Sequence, residues 1–219
     1  MNFSKIIIIS SHLPILLTAL YAAFSYKTLG HHLKVFSWFI FLSGVTQLMS
    51  LLFWFKSKNN MPILHFYTAA GFICLAWFYG TVLNNFINAK IIWSMAILFL
   101  LFTTINTLFI QNVFTFNSNA LAVESIQIVI LALFTFIFFL NNIVKESSKL
   151  DIKSLNWINS GLFIYYASVL LIVYFGATIT QSFSKTLNRY TWMFHSFFSV
   201  VMYTCFFISL WKRSKTLTS

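Results

Sequence analysis

The chain has 219 residues, 59% hydrophobic, 20% aromatic and only 8% charged. With a mean hydropathy of +0.84, this excludes a soluble domain, in which about a quarter of residues carry charge. Fourteen Lys and Arg against three Asp and Glu give a formal charge of +11, but the bases fall singly or in pairs in short connections, which suits anchoring to lipid headgroups and excludes the basic stripe of a nucleic-acid binder.

Apolar runs bounded by Lys, Arg, Asn and Gly predict an all-α polytopic membrane protein. Residues 1–219 form a single transmembrane domain of seven helices, at about Lys5–Tyr26, Lys34–Phe55, Met61–Leu83, Lys90–Ile110, Asn119–Val144, Asn156–Thr180 and Tyr190–Trp211. Each run stays apolar for about twenty residues, whereas the strands of a membrane barrel alternate over about ten. In the first span, Lys5 followed by IIIISSHLPILLTALYAA has the form of a signal peptide, with Ala22 and Ala23 as small residues near a cleavage point. The run continues to Tyr26 and contains His12 and Pro14, which favours an uncleaved span. Pro62 opens the third span, where a first-turn proline is tolerated. Spans one to three and five to seven would run parallel in a three-plus-one-plus-three layout, as in seven-helix sugar transporters, but the prolines that break such carriers' helices are missing.

Orientation follows from the basic residues. Lys27, Lys34, Lys90, Lys145, Lys149, Lys153, Lys212, Arg213 and Lys215 share the side of the C-terminus, against Lys5, Lys56, Lys58, Lys185 and Arg189 on the other, nine to five. The C-terminus is therefore expected in the cytoplasm and the N-terminus outside. Trp38, Trp77, Trp93, Trp157 and Trp211 fall near the inner ends, and Trp54 and Trp192 near the outer ends.

Depth brings the ionisable residues together. His12, His65, Glu124 and His195 lie within about two turns of the outer ends of their spans, with Asn106 at a similar level and Gln47 slightly deeper. Gln127 follows Glu124 by three residues, Thr68 follows His65 by three and Ser199 follows His195 by four, so each continues a polar stripe inward. An ionised Glu124 in hydrocarbon costs several kcal/mol or more without partners and must otherwise stay protonated, which asks for these groups to converge. Three readings stay open. The groups can be helix glue, with hydroxyls satisfied on their own turns. They can line an outer-half pocket that detects a ligand or a proton. As an alternative, His12, His65, Glu124 and His195 can bind Zn, Fe, Cu or haem in a metal-dependent membrane enzyme, a hydrolase or oxidoreductase, although no HxxxH or HExxH spacing supports this.

Absences narrow the choice. No lysine lies inside a span, so a retinal Schiff base has no anchor, and neither paired aspartates, a phosphate loop nor a nucleophile elbow occurs. Cys74 and Cys205 lie in apolar runs as small hydrophobes. The segments LAVESIQIVILALFTFIFF, NWINSGLFIYYASVLL and WMFHSFFSVVMYTCFFISLW resemble an uncharacterised bacterial seven-helix membrane protein family whose members are often encoded beside sensor histidine kinases. The matching positions are Glu124, Trp157, Asn159, Ser160, Gly161, Tyr165 and His195 over about the last hundred residues. The resemblance implies a receptor-like or sensor-associated protein of the bacterial inner membrane, without catalysis of its own and with no cofactor favoured, signalling to a partner such as a histidine kinase; a small-solute transporter is the third reading. Reporter fusions after Leu150 and after Ser219 should both report cytoplasm, and a periplasmic signal from either overturns the orientation.

Overall fold

In the computed structural model, the backbone is described for residues 3–142, 149–182 and 185–216, and side chains for 12–141, 152–174, 190–191 and 193–212. Among these residues there is no strand, and the elements are seven α-helices: α1 (Phe3–Ser25), α2 (His31–Phe55), α3 (Met61–Val82), α4 (Ala89–Ile105), α5 (Ser118–Asn142), α6 (Lys149–Ser182) and α7 (Lys185–Thr216). A 3₁₀ turn, Tyr26–Thr28, follows α1, and α4 widens into a π turn at Asn106–Ile110.

Local chemistry sets the helix ends. Asn88 caps α4 by accepting from the Lys90 amide at 3.0 Å, and Pro62 sits in the first turn of α3. Helix α2 closes with the Lys58 amide on the Phe53 carbonyl and the Ser57 amide on the Trp54 carbonyl. This double bond pattern needs a left-handed residue, and Ser57 supplies it at φ 53°. Helix α6 begins before Asn156 because nothing in KLDIKSL breaks a helix. Its 34 residues give a length of about 51 Å, more than a bilayer's hydrocarbon thickness.

Six segments among the described residues are long and apolar enough to cross a membrane: His31–Phe55, Met61–Val82, Ala89–Ile110, Ser118–Asn141, Ile152–Tyr174 and Met193–Lys212. Much of the outward surface is apolar, with Leu17, Leu52, Leu98, Leu101, Leu140 and Leu171 all exposed. This is a multi-pass membrane protein whose helices meet lipid directly. Trp38, Trp54, Trp77, Trp93 and Trp211 are also exposed, as interfacial tryptophans are.

Successive helices pack as neighbours, and α1 closes the ring by lying against both α2 and α7. The most extensive interfaces are α6 with α7 and α5 with α6, while α3 touches α2, α4 and α5. The core is aromatic. Phe36 meets Phe206 at 4.8 Å between ring centroids and Phe78 at 4.9 Å, and Phe72 meets Phe99 at 4.5 Å. Lipid is as apolar as these side chains, so the helices gain little by hiding from it and rely on close packing and interhelical hydrogen bonds. A Cβ built on Gly161 of α6 would stand 2.9 Å from Cys205 Cβ and 3.2 Å from the Met202 carbonyl oxygen, so the two longest helices touch where the side chains are smallest. At Gly80 a built Cβ meets nothing within 4 Å. Gly161→Leu should therefore lower the thermal unfolding temperature in detergent, by the equivalent of about 1–3 kcal/mol, while Gly80→Leu leaves it near wild type.

Candidate functional site

Two ionisable side chains of the C-terminal half, the buried Glu124 and the half-buried His195, are held by neighbouring tyrosines. Consecutive helical residues point about 100° apart, so Tyr165 and Tyr166 of α6 reach different helices. The Tyr166 hydroxyl donates to Glu124 Oε1 on α5 at 2.9 Å. The Tyr165 hydroxyl pairs with His195 Nε2 on α7 at 3.0 Å. The rings also stack edge to face, Tyr165 on Tyr166 at 5.1 Å and on His195 at 5.5 Å, which fixes the two phenols relative to each other.

A second hydroxyl group adjoins them. Ser43 of α2 donates to the Phe39 carbonyl at 2.8 Å. Its single hydrogen is then spent, so Tyr67 of α3 is the donor in their 2.8 Å contact. Tyr203 of α7 is within side-chain hydrogen-bonding reach of both Ser43 and Tyr67. Five helices, α2, α3, α5, α6 and α7, thus carry these polar groups, of which Ser43, Glu124, Tyr166 and Tyr203 are buried and Tyr67, Tyr165 and His195 half-buried. Close to Glu124 in the sequence of α5, Ser125 Oγ and Gln127 Oε1 are buried and have no hydrogen-bond partner among the described residues. Such unspent capacity is rare in a native interior.

His65 belongs to a different cluster. Its Nε2 contacts the Thr115 carbonyl at 3.0 Å and its Nδ1 the Thr107 hydroxyl at 3.1 Å. A carbonyl only accepts, so Nε2 carries the hydrogen, and in the neutral ring Nδ1 accepts from Thr107. Next to it, the fully buried Asn106 donates to Gln111 Oε1 and Asn117 Oδ1, both at 2.9 Å, and accepts from Asn119 Nδ2 at 3.1 Å. Gln111 donates on to Ser118 at 2.9 Å. The π turn turns Asn106 toward these partners, with the Gln111 amide on the Asn106 carbonyl at 2.7 Å. Asn59 adds the α2–α3 connection by donating to the Phe114 carbonyl at 2.8 Å. Together these amides clasp one end of the bundle.

The expected convergence of His12, His65, Glu124 and His195 is thus divided. Among the described residues, Glu124 hydrogen-bonds a tyrosine and no imidazole, and His65 and Asn106 face the clasp. His12 is half-buried on α1, and Thr68 spends its hydroxyl on the Leu64 carbonyl at 3.0 Å. Gln47 and Ser199 are half-buried and add no hydrogen bond to the network. No three His, Cys, Asp or Glu side chains among the described residues gather as a metal would need. The donor set runs against Zn, Fe or haem at His12, His65, Glu124 and His195, because both His65 nitrogens are occupied and the Glu124 oxygen faces a phenol. A sequence reading based on charge overlooks Tyr67 and Tyr166. Their signal is a phenol deep within an apolar run, away from the interfacial belt, where its hydroxyl must find a partner.

No family model matches this chain, nor does any curated protein or any solved structure. Tyr166→Phe should cost about 1–3 kcal/mol in detergent unfolding, because it strips a buried carboxyl of its donor. Glu124→Gln keeps an acceptor for Tyr166 and should cost less; a Tyr166→Phe protein as stable as wild type would show that the bond carries nothing.

Proposed function

We propose that the chain is a receptor-like, sensor-associated membrane protein without catalysis of its own. Its Glu124–Tyr166 and Tyr165–His195 pairs detect a ligand or a proton in the outer half of the bundle, and it signals to a separate partner on the cytoplasmic side, with a sensor histidine kinase as the partner class. The resident membrane is a bacterial inner membrane, crossed seven times with the N-terminus outside.

One observation carries this reading: the carboxyl of α5 and the imidazole of α7 are both read by adjacent residues of α6. A change of charge or occupancy at either group alters a hydrogen bond to the same helix, whose 34 residues run beyond the apolar segment Ile152–Tyr174. Toward the N-terminal end of α6, Lys212 of α7 lies 5.1 Å from the centre of the Trp157 ring, a contact that would register a displacement of α6 against α7.

The test uses the full chain in proteoliposomes, with spin labels at the exposed positions Leu140 on α5 and Asn156 on α6. Stepping between about pH 5 and 8, the range in which imidazoles titrate, should shift the interlabel distance in the wild type and in Glu146→Gln. The shift should vanish in Glu124→Gln. A wild-type α6 that keeps one position across that range overturns proton sensing.

A further inference from the structure

At the end of the bundle opposite the amide clasp, the first turns of α2 and α4 and the last turn of α3 surround an open cleft of about 440 Å³, lined by His31, His32, Trp77, Gly80, Thr81, Asn84, Ala89 and Trp93. Its volume equals about fifteen water molecules at liquid density, and it shares no residue with the Glu124 network. Its chemistry is one-sided. The lining holds no carboxylate, while the Asn84 amide and the two indoles can donate hydrogen bonds, as can each imidazole when protonated. Thr81 gives its hydrogen to the Phe78 carbonyl at 2.8 Å, so in its 3.1 Å contact with His32 it accepts from Nδ1, which anchors that ring in the cleft wall. Lys34 follows His31 by three residues on α2 and Lys90 precedes Trp93 by three on α4, placing an ammonium on each flank. Trp77 and Trp93 are each 41% exposed, at the level where aromatic side chains meet headgroups.

We propose that this cleft binds a phosphate group, carried by an anionic lipid headgroup or by a small water-soluble phosphate ester. The carboxylate-free lining, its indole and amide donors and the flanking lysines favour an anion, and the open mouth at headgroup level admits a phosphodiester whose acyl chains stay in the bilayer. A cationic ligand would find indole faces in the cleft but no counter-charge there. General attraction between a chain of charge +11 and an anionic surface is a separate effect, and it does not depend on the shape of the cleft.

That difference decides the experiment. Gly80→Leu fills the cleft without altering charge, and its added Cβ has open space. Purified full-length protein in nonionic detergent is titrated with phosphatidylglycerol in one arm, glycerol 3-phosphate in a second and phosphatidylcholine in a third, with bound molecules counted by native mass spectrometry. One phosphatidylglycerol per chain is expected, weakened about tenfold or more in Gly80→Leu, with phosphatidylcholine not retained. Binding of glycerol 3-phosphate that Gly80→Leu also weakens would support the site and assign it to a soluble ester. Equal binding by wild type and a normally folded Gly80→Leu, or equal retention of phosphatidylcholine, overturns the proposal. Thr81→Val, which removes the acceptor for His32 at almost constant volume, should weaken binding too, and it decides the matter if Gly80→Leu does not fold.

Discussion

The 2.9 Å bond from Tyr166 to Glu124 shows the constraint under which the whole bundle is built: in a medium without water, each polar group must find its partner on another helix. A carboxyl on α5 that is 98% buried cannot turn to solvent, so α6 must present a donor at that depth and lie close enough to deliver it. Closeness along α6 comes from Gly161, whose missing side chain admits Cys205 of α7, and from Asn159, which accepts from Tyr79 at 3.1 Å and donates to the Ala132 carbonyl at 3.0 Å. Three helices are therefore fixed around α6 by contacts of different kinds, and the position of α6 sets the geometry of the Glu124 and His195 pairs together.

The two polar clusters differ in what they can do. The clasp around Asn106 consists of amides and hydroxyls that do not ionise, and most of its donors and acceptors are matched inside the bundle; one amide hydrogen-bonding group, Asn117 Nδ2, lacks a partner among the described residues. Such a cluster holds loops in place and gives little to a ligand. The α5–α6–α7 network contains a carboxyl, an imidazole and the phenols that hydrogen-bond them. Groups that can gain or lose a proton form a cluster whose hydrogen bonding depends on protonation. His65 belongs to the first kind although it is ionisable, because both of its nitrogens are engaged.

The helix boundaries show how far a pattern of apolar residues reaches. Spans read from hydropathy agree with α2, α3, α5 and α4 taken together with its π turn to within about three residues, the usual uncertainty of helix ends. They fall short at α6 and α7, whose helices continue into polar sequence. Hydropathy marks where lipid begins, whereas a helix stops only where a cap or breaker stops it, as at Ser57. Glu124 and His195 were legible as functional candidates because charge in an apolar run has few innocent explanations. His65 looked equivalent to them by depth alone.

From the sequence alone came the membrane class, the all-helical architecture and the approximate positions of the helices, since those depend on composition and on the length of apolar runs. The tertiary structure decided the pairings: that Glu124 meets Tyr166, that His195 meets Tyr165, and that His65 and Asn106 turn to the α4–α5 connection. The reason is geometric. Helical periodicity sets the height and relative angle of side chains within one helix, but the rotation of each helix about its axis and its choice of neighbours emerge only when all of them pack together.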